Sequence, residues 1–175
     1  MSVEAALVTG GAQRIGAAMV RRLAARGAAV AIHYNASRAA AEALAAEVSA
    51  CGVAAAAIGA DLLDRGATAA LVPAAAAALG RPLTVLVNNA STFEHDTIRS
   101  ATWESWDRHV GSNLRAPFEL IQAFAAQAPR AGPRFGASAS RRRTSPGSGP
   151  PRSSGAAATR RRSPPRWPSS STARG

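Results

Sequence analysis

The sequence contains no lysine; all 21 of its basic residues are arginine. Tyrosine occurs once, as Tyr34, and cysteine once, as Cys51. Without lysine, no phenol in this chain can be made acidic by a neighbouring side-chain ammonium. A lone cysteine excludes an internal disulfide and suits a reducing compartment. No basic start precedes a long apolar run, and no uncharged stretch reaches the roughly eighteen strongly apolar residues of a membrane span. A soluble, cytoplasmic protein without a membrane partner is the expectation.

Acidic residues are missing from the last quarter of the chain. All ten, from Glu4 to Glu119, lie in residues 1–128, where ten arginines balance them. Residues 129–175 carry eleven arginines and no acid, so the whole net charge of +11 sits in the ending. That ending also lacks Val, Ile, Leu and Met, and Phe135 and Trp167 are its only large apolar side chains. It cannot offset an ordering entropy of about 1 to 2 kcal/mol per residue, so a disordered Arg/Pro/Ser-rich tail is expected. Its RRR clusters, with Trp167 stacking, would hold phosphates only nonspecifically and with steep salt dependence. A solvated tail outweighs that reading, and no nucleic-acid partner is expected. Residues 1–128 suffice for one packed domain or part of a larger one.

What is present in those residues is an alternation. Apolar runs at Ala5 to Val8, Ala28 to Ile32, Val53 to Ile58 and Leu83 to Val87 are candidate strands. Between them, helical spacing appears at Ile15 to Arg26, with Ile15, Met19 and Leu23 on one stripe, and at Ala39 to Ala50, with Leu44 and Val48. Gly27 and Gly52 stand where helix ends are expected. The run Ala74 to Ala78 predicts a helix following Pro73, and further helices fit Trp103 to Gly111 and Leu114 to Ala126. Nearly continuous apolar strands alternating with helices predict an α/β fold: a Rossmann-type, doubly wound parallel sheet, N-terminal half only, with strand 1 inside. Strand 4 would form an edge.

Four segments carry candidate chemistry. LVTGGAQRIG places a glycine turn between strand 1 and the helix opening at Ile15, where backbone N–H groups can hold a pyrophosphate. Gly10 and Gly16 permit the tight turn, and Arg14 stands where many dinucleotide sites have glycine. A strand-to-helix turn without a ligand is the alternative. Strand 2 ends in IHYNASR, with no acid to bond the ribose hydroxyls of NAD. His33, Tyr34, Asn35, Ser37 and Arg38 instead favour the extra 2'-phosphate of NADP, or else form a surface turn capped by Ser37. In GADL, Asp61 could accept from an adenine amino group or cap the next helix. The asparagines of VLVNNASTF either line a cofactor or form a structural network, because unpaired buried amides cost about 1 to 3 kcal/mol each.

TGGAQRIG, GADL, NNAS and the SNL of Ser112 to Leu114, in that order and spacing, resemble the short-chain dehydrogenase/reductase family over residues 1 to about 128. Arg14, HYNAS and NNASTF are similar to the pteridine reductase and dihydromonapterin reductase group within it. The resemblance implies NADPH-dependent reduction of a pterin-like or other carbonyl or imine substrate. Gly10, Arg14, Ile15, Gly16, Tyr34, Asn35, Ser37 and Arg38 would surround the phosphates and adenosine. Asp61 and Leu62 would hold adenine, and Asn89, Ala90 and Ser91 would line the ribose and nicotinamide. Phe93, with Arg14, would meet the pterin, and Asn113 would be the catalytic asparagine that anchors a relay water. From the residues alone, Phe93 fits a core aromatic and Asn113 a helix cap. No metal site is expected.

The family's Tyr-x-x-x-Lys proton-delivering pair has no counterpart. A phenol near its free pKa of about 10 relays protons poorly without a lysine, and the one tyrosine, Tyr34, falls at the wrong end of the cofactor. The chain is therefore expected to be inactive or nearly so. The alternatives are a non-catalytic NADP-binding module or a fragment like 3-oxoacyl-carrier-protein reductase. The basic ending resembles GC-rich DNA translated out of frame. That reading requires another frame, just downstream of the codons for about Arg130 to Ser140, to encode a Tyr-x-x-x-Lys segment. The family's usual helix-pair oligomer interface would be incomplete here.

Overall fold

The computed structural model describes residues 5–127. The expectations about the tail fall outside the described residues.

Strands β1 (Ala5–Val8), β2 (Ala29–Tyr34), β3 (Ala55–Gly59) and β4 (Val85–Val87) form one sheet in the order β3-β2-β1-β4. Every pairing is parallel, with Leu7 opposite Ala31 on one side and Leu86 on the other. β1 and β2 are wholly buried, which explains their apolar sequence up to His33, whereas the edge strands β3 and β4 are mostly half-buried. Helices α1 (Arg14–Ala24) and α2 (Arg38–Ala50) cover one face, where Val8 and Ile32 meet Val20, Leu44 and Val48. Helices α3 (Arg65–Ala78) and α5 (Ala116–Gln127) cover the other, where Leu7 and Ala31 meet Leu71, Leu83 and Leu120. Full burial of each leucine contributes roughly 1.5 to 3 kcal/mol. The expected parallel sheet, with β1 inside and β4 at an edge, is what the chain forms.

Three local expectations need correction. On α1 the sheet-facing residues are Gly16, Ala17, Val20 and Ala24, while Ile15 is 65 % and Met19 38 % exposed. Small residues face the sheet at the start of the helix, so Ile15 and Met19 turn away, while half-buried Leu23 packs against the core. Pro73 lies inside α3 rather than before it. That helix starts at Asp64, whose Oδ1 accepts from the N–H groups of Gly66 at 2.7 Å and Ala67 at 3.1 Å. The cap, and burial of Leu71, Val72 and Ala75, offset an internal proline's cost of about 3 kcal/mol. Finally, α4 (Trp103–Val110) runs into α5 through a π-helical turn, Gly111–Arg115, so the last two helices are continuous.

Gly27 and Gly52 end α1 and α2 with φ of +81° each, as their positions predict. No helix among the described residues is long and apolar enough to cross a membrane.

Candidate functional site

The carboxyl ends of all four strands open on one side, and β1 and β4 adjoin where the strand order reverses. In open parallel sheets such a switch point forms a crevice. Here it is a cleft of about 460 Å³ lined by the turn after β1, the end of β2 and the loops after β3 and β4.

The turn after β1 is built around glycine. Gly10 has φ +60°, and a Cβ on it would lie 3.0 Å from Ala90 Cα. A Cβ on Gly16 would lie 2.1 Å from the Gly10 carbonyl oxygen and 2.8 Å from Asn89 Nδ2, so no side chain fits. Arg14, exposed at the head of α1, has φ +52°, the one positive φ outside glycine among the described residues. Left-handed backbone costs a side-chain-bearing residue roughly 1 to 2 kcal/mol, which gives a physical reason for glycine at this position in other dinucleotide loops. Gln13 makes no side-chain cap and the first turn of α1 holds no acid, so its N–H groups suit an anion.

Thr9 and Asn89 lock this turn to the loop after β4. Thr9 Oγ1 donates to the Val87 carbonyl at 3.3 Å and accepts from Asn89 N–H at 2.9 Å and Ala90 N–H at 3.0 Å. Asn89 Nδ2 donates to the carbonyls of Thr9 at 3.0 Å and Gly10 at 3.1 Å. Asn89 therefore forms the structural network and lines the cleft as well. Sequence reasoning overlooked Thr9; its signal was a polar residue at the end of a buried strand.

On the other side, Asp61 Oδ1 accepts from Leu63 N–H at 2.9 Å, shaping the loop after β3 rather than capping α3. Arg115 Nη2 donates to the carbonyls of Leu62 at 3.1 Å and Leu63 at 2.9 Å, while its Nη1 pairs with Glu119 at 2.9 Å. The loop after β4 is tied to α4. His109 Nε2 accepts from Glu94 N–H at 2.9 Å, its Nδ1 donates to the Ser105 carbonyl at 2.8 Å, and Arg108 pairs with Glu94. Arg108 holds the Glu94 carboxyl below its usual range.

A family model described as short chain dehydrogenase matches residues 4–133. The chain belongs to the short-chain dehydrogenase family. It is 40% identical over 120 residues to the short-chain dehydrogenase/reductase FrzI of Cladobotryum sp, covering 69% of this chain and 46% of that relative. It is 34% identical over 119 residues to the 3-oxoacyl-(acyl-carrier-protein) reductase FabG of Staphylococcus aureus, covering 68% and 48%. Among solved structures, FolM alternative dihydrofolate reductase 1 from Brucella canis, complexed with NADP, matches with a TM-score of 0.71 at 37% identity. That match covers 75% of this chain and 53% of the other. The chain thus spans about half the length of the relatives it matches.

In this member of the family, Gly10, Arg14, Ile15, Gly16, Tyr34, Asn35, Ser37, Asp61, Leu62, Asn89, Ala90 and Ser91 all line the same cleft. Ser37 occupies the N-cap position of α2 without a side-chain cap bond. Three expected residues stand apart from the lining. Arg38 lies with its guanidinium carbon 6.0 Å from the Tyr34 ring centroid and Nη1 3.5 Å from Glu42. Phe93 is 82 % exposed, neither core nor cleft wall, with its ring edge-on to His109 at 6.3 Å. Asn113 caps no helix: it sits in the π-helical turn with its amide bonded to Thr92. Thr92 and Ser112 line the cleft without having been expected there, and His33, named with the end of β2, lines it as well. Among the described residues, no group of three or more His, Cys, Asp or Glu could hold a metal ion.

Proposed function

We propose that the chain forms the NADP(H)-binding part of an oxidoreductase acting on a pterin-like or other carbonyl or imine compound. The cleft at the strand switch point carries this reading, because its parts fit the cofactor piece by piece. Gly10, Arg14, Ile15 and Gly16 would hold the pyrophosphate, since the backbone packs too closely for side chains at Gly10 and Gly16 and the start of α1 has no side-chain cap. Asn35 and Ser37 line the end of β2 where an NAD site would place a carboxylate. With Tyr34, and with Arg38 swinging from its ring, they suit a 2'-phosphate. Asp61 and Leu62 would take adenine, and Asn89, Ala90 and Ser91 the ribose and nicotinamide. When bound, the nicotinamide supplies hydride. Phe93 would stack on a flat substrate after leaving His109, and Asn113 would hold the loop that carries it.

The pterin class is favoured by Arg14, HYNAS and NNASTF, and by 37% identity to the FolM enzyme. Similarity to FabG supports a 3-oxoacyl substrate as the second reading. The sequence holds no Tyr-x-x-x-Lys pair to deliver the proton. Tyr34 is buried in β2 against Gly59, and the sequence has no lysine. This chain is therefore expected to bind cofactor with little or no turnover.

Fluorescence titration of the full chain with NADPH and NADH tests the reading. Saturable NADPH binding at least about tenfold tighter than NADH, the worth of one charge-assisted phosphate contact, supports it; equal affinities or no saturation overturn it. Oxidation of NADPH with a pterin or 3-oxoacyl substrate at rates ordinary for an intact reductase would refute the expected lack of turnover.

A further inference from the structure

We propose that His33 is a positioning residue for the dinucleotide: a single neutral imidazole sets the spacing between the turn after β1 and the loop after β3, so cofactor affinity depends on its Nε2–H form. This rests on the NADP(H) reading above.

His33 is 1 % exposed, one residue before the end of β2, with β1 and β3 on either side. Its Nδ1 accepts from Gly10 N–H at 3.1 Å, which leaves the proton on Nε2, and Nε2 donates to the Ala60 carbonyl at 3.0 Å. Both partners lie just past their strands, because β1 ends at Val8 and β3 at Gly59, and strand pairing no longer serves them. The backbone reinforces the bridge: the His33 carbonyl accepts from Gly11 N–H at 2.9 Å and the Tyr34 carbonyl from Ala60 N–H at 3.0 Å. One ring thus joins the segment that would hold the pyrophosphate to the segment that would hold adenine.

The bridge needs one acceptor and one donor on the same ring. A protonated imidazole offers two donors, so Nδ1–H would oppose Gly10 N–H and drive the turn away from β2. By strand alternation His33 shares the Ala31 face with α3 and α5. The charged groups on that side are committed elsewhere: Asp61 to Leu63 N–H, Asp64 to the start of α3, and Glu119 to both Arg65 and Arg115. Arg14, on the turn, is exposed, and Arg38, on the opposite face, pairs with Glu42. No carboxylate stabilises the imidazolium, and burial pushes the His33 pKa below its ordinary value, opposed by the Ala60 bond.

The test uses the full chain as wild type, His33→Gln and His33→Leu. Glutamine offers an acceptor and a donor at a similar spacing and does not titrate; leucine removes both. Histidine-selective ¹⁵N spectra, assigned by loss of the His33 signal in His33→Gln, should show the Nε2–H tautomer, and an Nδ1–H tautomer would overturn the proposal. Calorimetry with NADP⁺ at neutral pH should place His33→Gln within about threefold of wild type and His33→Leu at least about tenfold weaker, a loss equivalent to one or two hydrogen bonds. Unchanged affinity in His33→Leu would overturn it. Across the pH range in which the spectra show the ring charging, wild-type affinity should fall relative to His33→Gln. The 2'-phosphate titrates near pH 6 in both, so parallel curves would overturn the coupling. If the ring stays neutral until acid unfolds the chain, His33→Gln should unfold at lower pH than wild type, and coincident midpoints would count against the proposal. A wild type that binds no NADP⁺ would sink the NADP(H) reading, and with it the affinity half of this proposal, while the tautomer decides the bridge on its own.

Discussion

Asn113 and Thr92 form a closed pair: Asn113 Oδ1 accepts from Thr92 N–H and Nδ2 donates to the Thr92 carbonyl, both at 2.8 Å. One side chain in a π-helical turn thereby saturates the backbone of a cleft residue 21 positions away. The pair is exposed, so water can replace it at low cost. Asn113→Ala should change global stability by only about 1 kcal/mol or less, but should raise hydrogen exchange at the Thr92 amide by roughly tenfold or more. Exchange followed by mass spectrometry checks this; an unchanged Thr92 rate would deny Asn113 its hold on the loop.

Thr9 offers a sharper case because its hydroxyl is buried and fully used. Thr9→Val keeps the shape and strands the N–H groups of Asn89 and Ala90. At about 1 to 3 kcal/mol per unsatisfied group, the loss should reach roughly 2 to 5 kcal/mol in urea unfolding. Thr9→Ser should recover most of it.

Arg14 inverts a helix rule. Alanine normally exceeds glycine in helices by about 1 kcal/mol, but at φ +52° an alanine keeps the strain and a glycine relieves it. Arg14→Gly should therefore be more stable than Arg14→Ala by about 1 kcal/mol in thermal melts. Both should weaken NADP⁺ binding by similar factors, because each removes the same guanidinium.

Arg115 braces the loop after β3 from the helix side, through the carbonyls of Leu62 and Leu63. Its removal also leaves Glu119, which is mostly buried, with Arg65 as its remaining partner. Arg115→Met should weaken NADP⁺ binding by about tenfold, the order of one charge-assisted hydrogen bond. It should also speed proteolysis near Leu63. Calorimetry and limited digestion measure the two effects, and full-strength binding would show that the loop holds its shape without the brace.

Much of this molecule could be foreseen from its residues in order. Apolar runs marked β1 to β4, because strands covered by helices take few polar residues, buried His33 being the exception. The glycines of TGGAQRIG marked the turn, because contacts as close as Gly16 on Gly10 leave room for no Cβ. The cleft residues drawn from four separate segments could be named because a parallel sheet sends every strand's carboxyl end to the same side.

Tertiary structure alone decided what faces what. Helical periodicity put Ile15, Met19 and Leu23 on one stripe, but with Gly16 held against Gly10 and Asn89 the smaller residues Gly16, Ala17, Val20 and Ala24 face inward and only Leu23 of the stripe packs on the core. Pro73 looked like a boundary until the Asp64 cap and the buried leucine and valine behind it outweighed one missing hydrogen bond. Thr9 escaped notice, and His33 was read only as one of the residues favouring a 2'-phosphate, because their partners lie 78 to 81 and 23 to 27 residues away, and no local pattern encodes such pairings. Composition and period follow from short-range sterics and solvation, which the chain carries within any dozen residues; the meeting of a hydroxyl or an imidazole with a distant backbone group exists only after the sheet has assembled.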